Sequence, residues 1–366
     1  MKGLSREAGD IVRRRLENQR LVSRTFKDPV EVVRALGAVQ SQDYPRAKWA
    51  LAQRTRGKLT EPDVERVIAS GAILRTHVLR PTWHFVLPED IRWMLTLTAP
   101  RVAAAMAYHS RWLELDERVC RRSNKAIERA LRDGAALTRA ELAAVLRQAG
   151  VEVSTQRVWH LLIQAELDRV VISGARRGAQ FTYAAFDALV PAAPARDRDD
   201  ALQELARRYF ATRGPATLQD FAWWSGLTVA DAKRGAEAAG ASLKRETYDD
   251  RVYWSASGRS SKLRRVRVAH FLPNYDEFFV GFRDRSAFSE RLRRVSPSHR
   301  VDALMGHILC IDGQIVGGWR RTLSKQVNVE LRMLVPLTAA ERKLVQRARV
   351  RFSAYLGSSA KTRSKL

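Results

Sequence analysis

The feature that most restricts the fold is a pattern that occurs twice, roughly eighty residues apart: three short helices followed by a two-stranded hairpin. In the first copy, residues 123–133 (SNKAIERALRD) carry apolar positions at helical spacing behind Ser123, an N-cap residue type, and Gly134 stops them. Thr138 stands three residues before Glu141, the spacing of a capping box, and the helix it opens runs to Gln148. A third helix starts at Ser154 and passes through Trp159, Leu162 and Leu167. Val170-Val171-Ile172 and residues 181–183 then read as strands joined by the basic turn GARRG at 174–178. The second copy has an amphipathic helix at 200–212 and a helix carrying Phe221, Trp223 and Trp224 behind Thr217 and Asp220. A third helix runs from Thr228 to Gly240, and a hairpin turns at Asp249-Asp250. This order is that of a winged helix, a relative of the helix-turn-helix. The period is too long for a solenoid and suits tandem small domains, with PAAPARDRD (191–199) as the linker.

The N-terminal third reads as a looser version of the same unit. Helices are expected at 5–19, 29–39, 46–54 and 62–70, then a strand-like stretch at 76–87 broken near Pro81, then a helix from Pro88. After Trp254 the character changes. Strands are expected at 264–272, 307–311 and 315–319, with Asp312-Gly313 as a hairpin turn, and a helix at 338–355 closes the chain. The expected class is α+β and mainly helical: three tandem winged-helix domains plus a C-terminal β-containing segment. The boundaries are 1–117, 118–192, 199–256 and 257–366.

Composition narrows the partners. The chain carries 65 Lys and Arg against 39 Asp and Glu, a net charge of +26, which points to polyanions and above all to nucleic acid. A GC-rich coding bias would raise Arg but would also raise Asp and Glu. A 45% hydrophobic content is that of a folded protein and not of a basic tail. No apolar run reaches the roughly eighteen residues of a membrane span, and residues 1–10 lack a signal-peptide core, so a cytoplasmic, nucleoid-associated protein is expected. A monomer is the default, because no clear oligomerisation signal stands in the sequence. Cys120 and Cys310 form neither a disulfide framework nor a metal-ligand spacing, and no metal or cofactor is expected. His307 and Gly317-Gly318-Trp319 read as structural, and the ending Ser364-Lys365-Leu366, though it matches a peroxisomal address, as a chance product of a basic tail.

Two clusters carry candidate chemistry. Gln40 and Gln42 lie in LGAVQSQDYP, where Pro45 forbids a helix running straight through. A helix over 29–39 would expose Gln40 at its end. Two amides at a turn or in extended backbone can hold a water between a carbonyl acceptor and an N–H₂ donor; equally, they can cap the preceding helix. Asp43 stands next to them, as a base or as the cap of the following helix. In RPTWHFV, Thr82 and His84 share one face of a strand and can fix a water or a phosphate, or form a plain polar edge. Arg46 and Lys48, with Arg176 and Arg177 at the second wing tip, are candidate phosphate contacts, or solvated surface charge.

The runs LGAVQSQDYPRAKWALAQR, LRPTWHFV, FLPNYDEFFVGFRDRS and IDGQIVGGWRR, in this order and spanning nearly the whole chain, resemble the AlkZ-like family of DNA glycosylases. That resemblance implies tandem winged helices and a catalytic Gln-x-Gln or Gln-x-Asp pair. Gln40 and Gln42 fall on it, with Ser41 at a middle position that is often apolar in the family. It further implies excision of N7-alkylated purines from double-stranded DNA as base-excision repair, and unhooking of bulky or crosslinked adducts. Some members confer self-resistance on producers of genotoxic compounds. An N7-alkylated purine is already cationic and leaves as a neutral base without a general acid. A glutamine, which cannot titrate, is then enough to orient the water and stabilise the oxocarbenium ion. The competing reading is a winged-helix transcription regulator without catalysis. A regulator has no chemical reason to carry the glutamine pair at a turn.

Overall fold

The computed structural model describes residues 6–258, 267–295, 307–323 and 327–357. Ser5, the 264–266 part of an expected strand and the ending 364–366 lie outside the described residues. The architecture is α+β and mainly helical, with small antiparallel sheets.

The N-terminal part contains helices Arg6–Asn18, Pro29–Leu36, Tyr44–Ala52 and Glu61–Ala69, then Pro88–Trp112. Its sheet joins β1 (Val39–Gln40), β2 (Leu74–His77) and β3 (Trp83–Val86) in the order β1-β3-β2. One expectation is corrected here. The helix expected over 29–39 stops at Leu36, because Gly37 takes φ +79° and returns its N–H to Val33 O at 2.8 Å. The chain thereby leaves the helix three residues before Gln40 and enters β1 at Val39.

The next unit has helices Glu117–Ala130, Arg139–Gln148 and Thr155–Leu167. Its sheet of β4 (Leu137–Thr138), β5 (Val171–Ser173) and β6 (Thr182–Ala185) has the order β4-β6-β5. The Thr138–Glu141 capping box forms as the spacing predicts. Ser123, expected as an N-cap, is instead buried inside the first of these helices, which is capped about two turns earlier by Asp116, whose carboxylate accepts from Val119 N at 2.7 Å. The following unit repeats the order with helices Arg198–Arg213, Leu218–Ser225 and Val229–Ala238 and the hairpin β7 (Leu243–Tyr248) and β8 (Arg251–Ala256). Asp249 and Asp250 both have positive φ, as a two-residue hairpin turn requires.

The C-terminal part holds β9 (Ala269–Leu272), β10 (Ile308–Ile311), β11 (Gln314–Leu323) and β12 (Val327–Met333), in the order β12-β11-β10-β9, covered by the helix Ala339–Tyr355. Strand β12 was not anticipated. Leu36, Phe85, Tyr209, Trp224, Phe271 and Phe352 all belong to one continuous core, so the N-terminal, third and C-terminal parts are fused. The second unit has its own core around Ile127, Leu142, Leu161 and Tyr183, and Trp83 of β3 is inserted into it. Among the described residues, no helix is long and apolar enough to cross a membrane.

Candidate active site

Gln40 is placed by a buried ionic clamp. Its residue pairs with His84 across β1 and β3, and Val39 pairs with Phe85. A two-residue strand leaves most backbone groups around it without ladder partners, and burial obliges them to find others. Arg213, fully buried, donates from Nη1 to Leu36 O (2.9 Å) and from Nη2 to Ala38 O (3.2 Å). Glu277, equally buried, accepts the Gln40 N–H at Oε1 (2.8 Å). Its Oε2 accepts from Arg213 Nη2 (2.7 Å) and Trp224 Nε1 (2.9 Å). The carboxylate and guanidinium thus neutralise each other while fixing the segment that leads into Gln40. Next to Glu277, Asp276 receives both Nη groups of the buried Arg54 (3.0 and 2.7 Å), which pins the same turn from the other side.

The side-chain carbonyl of Gln40 is the exception to this saturation. The residue is 6% exposed, and Oε1 is buried with no hydrogen-bond partner. Directly opposite, His84 Nδ1 lies 2.8 Å from Thr82 O. A carbonyl only accepts, so Nδ1 carries the hydrogen and Nε2 is the lone-pair nitrogen. Burial first, and then the charge of Arg80, hold the His84 imidazole well below the ordinary histidine range, so the ring is neutral. Its Nε2, like the Thr82 Oγ1, is buried without a partner. Arg80 contributes an equally unusual group: Nε and Nη2 are buried and unpartnered, and burial lowers its pKa.

Gln42 behaves differently. It is exposed, and its Oε1 accepts from Trp83 N at 3.3 Å, while Ser41 N donates to Trp83 O at 2.7 Å. The chain therefore follows the edge of β3 through residue 42. Gln42 presents its N–H₂ group at the mouth of a cleft toward the second unit. Asp43 occupies the N-cap position of the Tyr44–Ala52 helix, but its carboxylate makes no side-chain capping bond and instead pairs with Arg46 at 3.1 Å.

The remaining cations expected at DNA are held within the fold to different degrees. Lys48 is buried, with its ammonium 2.6 Å from Glu65 and 3.1 Å from Glu61. Arg176 lies 3.6 Å from Glu65 and over the rings of Tyr44 and Phe181. Arg177 pairs with Glu141 at 2.8 Å and donates to Ala136 O. His307 accepts the Asn274 N–H at Nδ1 and packs on Trp319, a structural arrangement. Glu277 and Arg213 were not singled out from sequence. The readable signal was two carboxylates, Asp276 and Glu277, ahead of the apolar run Phe278-Phe279-Val280.

No protein of curated function matches the chain in sequence. A solved structure, Streptomyces sahachiroi DNA glycosylase AlkZ, is similar to it with a TM-score of 0.78 at 20% identity, covering 98% of each chain. The family model described as DNA glycosylase AlkZ-like matches residues 33–355, a span that contains the glutamine pair, His84 and Glu277. The chain belongs to the AlkZ-like family of DNA glycosylases.

Proposed function

We propose that this protein is a monofunctional DNA glycosylase that hydrolyses the N-glycosidic bond of cationic N7-alkylpurines in duplex DNA, with its water placed by Gln40 and His84. The observation that carries the reading is the pair of bare, buried acceptors, Gln40 Oε1 and His84 Nε2, on directly opposed strand residues. Opposed residues on neighbouring strands have Cα atoms about 4.5–5.5 Å apart. A water that donates one hydrogen to each acceptor turns its lone pair outward, toward an anomeric carbon. The C1′–N9 bond breaks with its electron pair passing to the purine, which neutralises the cationic ring. The water oxygen then bonds to C1′. The hydroxyl proton, strongly acidic once that bond forms, leaves through His84 Nε2 or to solvent. Neither glutamine changes protonation state. The Gln40 carbonyl also sets a partial negative charge beside the developing oxocarbenium ion, the kind of placed dipole whose loss costs on the order of 10²–10³ in rate.

Gln42, with its carbonyl held on Trp83 N, offers donors to the lesioned nucleotide, and Thr82 adds a hydroxyl beside His84. Arg46, Arg176 and Arg177 remain phosphate contacts of this reading, at the cost of loosening their internal pairs. Lys48 is left out, because its charge is neutralised within the fold. Bulky and crosslinked N7 adducts fall within the same chemistry, since the leaving group is equally cationic. The three helix–hairpin units are read as winged helices that deliver this site to chromosomal DNA. The test is release of 7-methylguanine from a duplex by the wild type and by Gln40→Ala and Gln42→Ala. Loss in Gln40→Ala with folding retained is expected, and uracil or hypoxanthine duplexes should be poor substrates. Release that survives both substitutions would overturn the site.

A further inference from the structure

A cleft of about 470 Å³ lies between the Gln42 turn and the second unit, and what lines it is chemically one-sided. Gln42 contributes its N–H₂ group, since its carbonyl is already taken by Trp83 N. Arg139 and Ala140, the first two residues of the ten-residue Arg139–Gln148 helix, both line the cleft, and their backbone N–H groups have no acceptor within the helix. The Arg139 side chain is exposed. Gln180, at the end of the second wing, stands on the opposite wall. Arg75 forms part of the floor. It is 7% exposed, with its guanidinium 4.0 Å from the Trp83 ring centre and 4.6 Å from that of Phe181. Its Nη2 reaches Ser41 O at 3.2 Å, and its Nε is buried with no partner.

No carboxylate is among the lining residues, which distinguishes this cleft from three others. One of those contains Glu89, Asp197, Asp200 and Glu204, another Asp220, Glu237 and Asp284, and the third Glu65. The nearby Glu141 is turned into its own capping box and toward Arg177. Of the four aromatic rings that line the cleft, Trp83 and Tyr183 are buried and Trp159 and Phe181 half-buried, with the guanidinium groups of Arg75 and Arg176 over Phe181. What the cleft offers is donors around a helix N-terminus, with an incompletely bonded buried arginine beneath. Such a set fits a tetrahedral oxyanion.

We propose that this cleft holds one backbone phosphate of the bound DNA, next to the lesioned nucleotide, gripped by Arg139, the first N–H groups of its helix, Arg75 and the Gln42 amide. This rests on the glycosylase reading only in taking duplex DNA as the ligand. Through Gln42 the phosphate contact reaches the catalytic turn itself. It would set the register of the lesion against Gln40, as phosphate contacts do without reading sequence.

The experiment uses the full chain and a duplex carrying a tetrahydrofuran abasic analogue, which has no base to excise. Binding is therefore read whether or not the protein cleaves 7-methylguanine duplexes, and failure of one reading is separable from failure of the other. Arg139→Gln should leave thermal unfolding unchanged and weaken binding about tenfold, as expected for loss of a hydrogen bond to a charged group. The slope of log affinity against log salt should shrink by about 0.9, the value for one phosphate. A scan of single methylphosphonates should find one position flanking the analogue where wild-type binding falls and the Arg139→Gln protein loses nothing further. An unchanged affinity and slope, or methylphosphonate penalties that add independently to Arg139→Gln at every position, would overturn the proposal.

Discussion

Replacing Glu277 by glutamine tests whether the buried clamp positions the candidate water site or merely stabilises the fold. Glu277 accepts from Gln40 N, Arg213 Nη2 and Trp224 Nε1, and both it and Arg213 are fully buried. Glu277→Gln keeps the volume but leaves the Arg213 guanidinium buried without a counter-charge, a change that costs about 3–5 kcal/mol. Against a total stability of roughly 5–15 kcal/mol this is severe, and at about 2 °C per kcal/mol the melting temperature should fall by roughly 6–10 °C. A second variant separates the two roles. Replacing the pair together, Arg213→Met with Glu277→Leu, removes both charges and should recover most of the lost stability, as apolar replacements of buried ion pairs do. It cannot restore an acceptor for the Gln40 N–H or donors for Leu36 O and Ala38 O. Single-turnover release of 7-methylguanine, measured well below both melting temperatures, should therefore stay low in the double variant while its melting temperature approaches the wild type. A double variant that regains stability and full excision together would show that the clamp does not position Gln40.

The neutral state of His84 predicts a pH profile with no inflection near 6.5, because burial and Arg80 hold its pKa well below that value. Protonation at lower pH would remove the Nε2 acceptor, so the rate should fall only in acid; a step near 6.5 that vanishes in His84→Asn would refute this. The same depression makes stability greatest above the unfolded-state pKa near 6.5, where both states are neutral. Below it the unfolded state takes up a proton that the folded state refuses, and stability should fall by up to about 1.4 kcal/mol per pH unit, measurable by denaturant titration. Lys48→Met should lower the melting temperature, since it takes the nearest cation from Glu61 and Glu65, yet leave the salt slope of DNA binding unchanged; a reduced slope would restore Lys48 as a phosphate contact. Gly226→Ala should destabilise by more than the roughly 1–2 kcal/mol of its left-handed backbone alone, because a Cβ there would lie 2.1 Å from Leu79 O. A loss of less than 1 kcal/mol in chemical denaturation would contradict that close approach.

Much of the second and third units was legible because their signals are local. A capping box at Thr138, a positive-φ pair at Asp249-Asp250 and helical apolar spacing act within a few residues. The end of the Pro29–Leu36 helix was misread although Gly37 was in view, since the apolar pattern carries on through Ala38 and Val39 while the backbone does not. Strand β12 was overlooked, yet Val327, Val329, Leu331 and Met333 alternate with Asn328, Glu330 and Arg332 over seven residues, a readable period of two. At the candidate site, Gln40, Gln42, Thr82 and His84 could be named from type and spacing. That His84 stands opposite Gln40 depends on strand register, and the burial of Lys48 depends on Glu61 and Glu65 from the next helix. Neither is encoded in spacing. The clamp was out of reach for the same reason, since Arg213 and Glu277 acquire their roles only through partners far away in the chain.

The bond from Gln40 N to Glu277 Oε1 joins residues 237 apart. That separation has a consequence in time. During synthesis the glutamine pair leaves the ribosome early, and the basic helix–hairpin units follow it. At about 5–20 residues per second, Glu277 emerges roughly ten to fifty seconds after Gln40. Until then a nascent chain holds its helix–hairpin units but not the carboxylate that accepts the Gln40 N–H. On the proposed reading, the capacity to cut a glycosidic bond arrives last. A chain interrupted at residue 256 lacks the C-terminal share of the common core as well as Glu277, and should excise nothing.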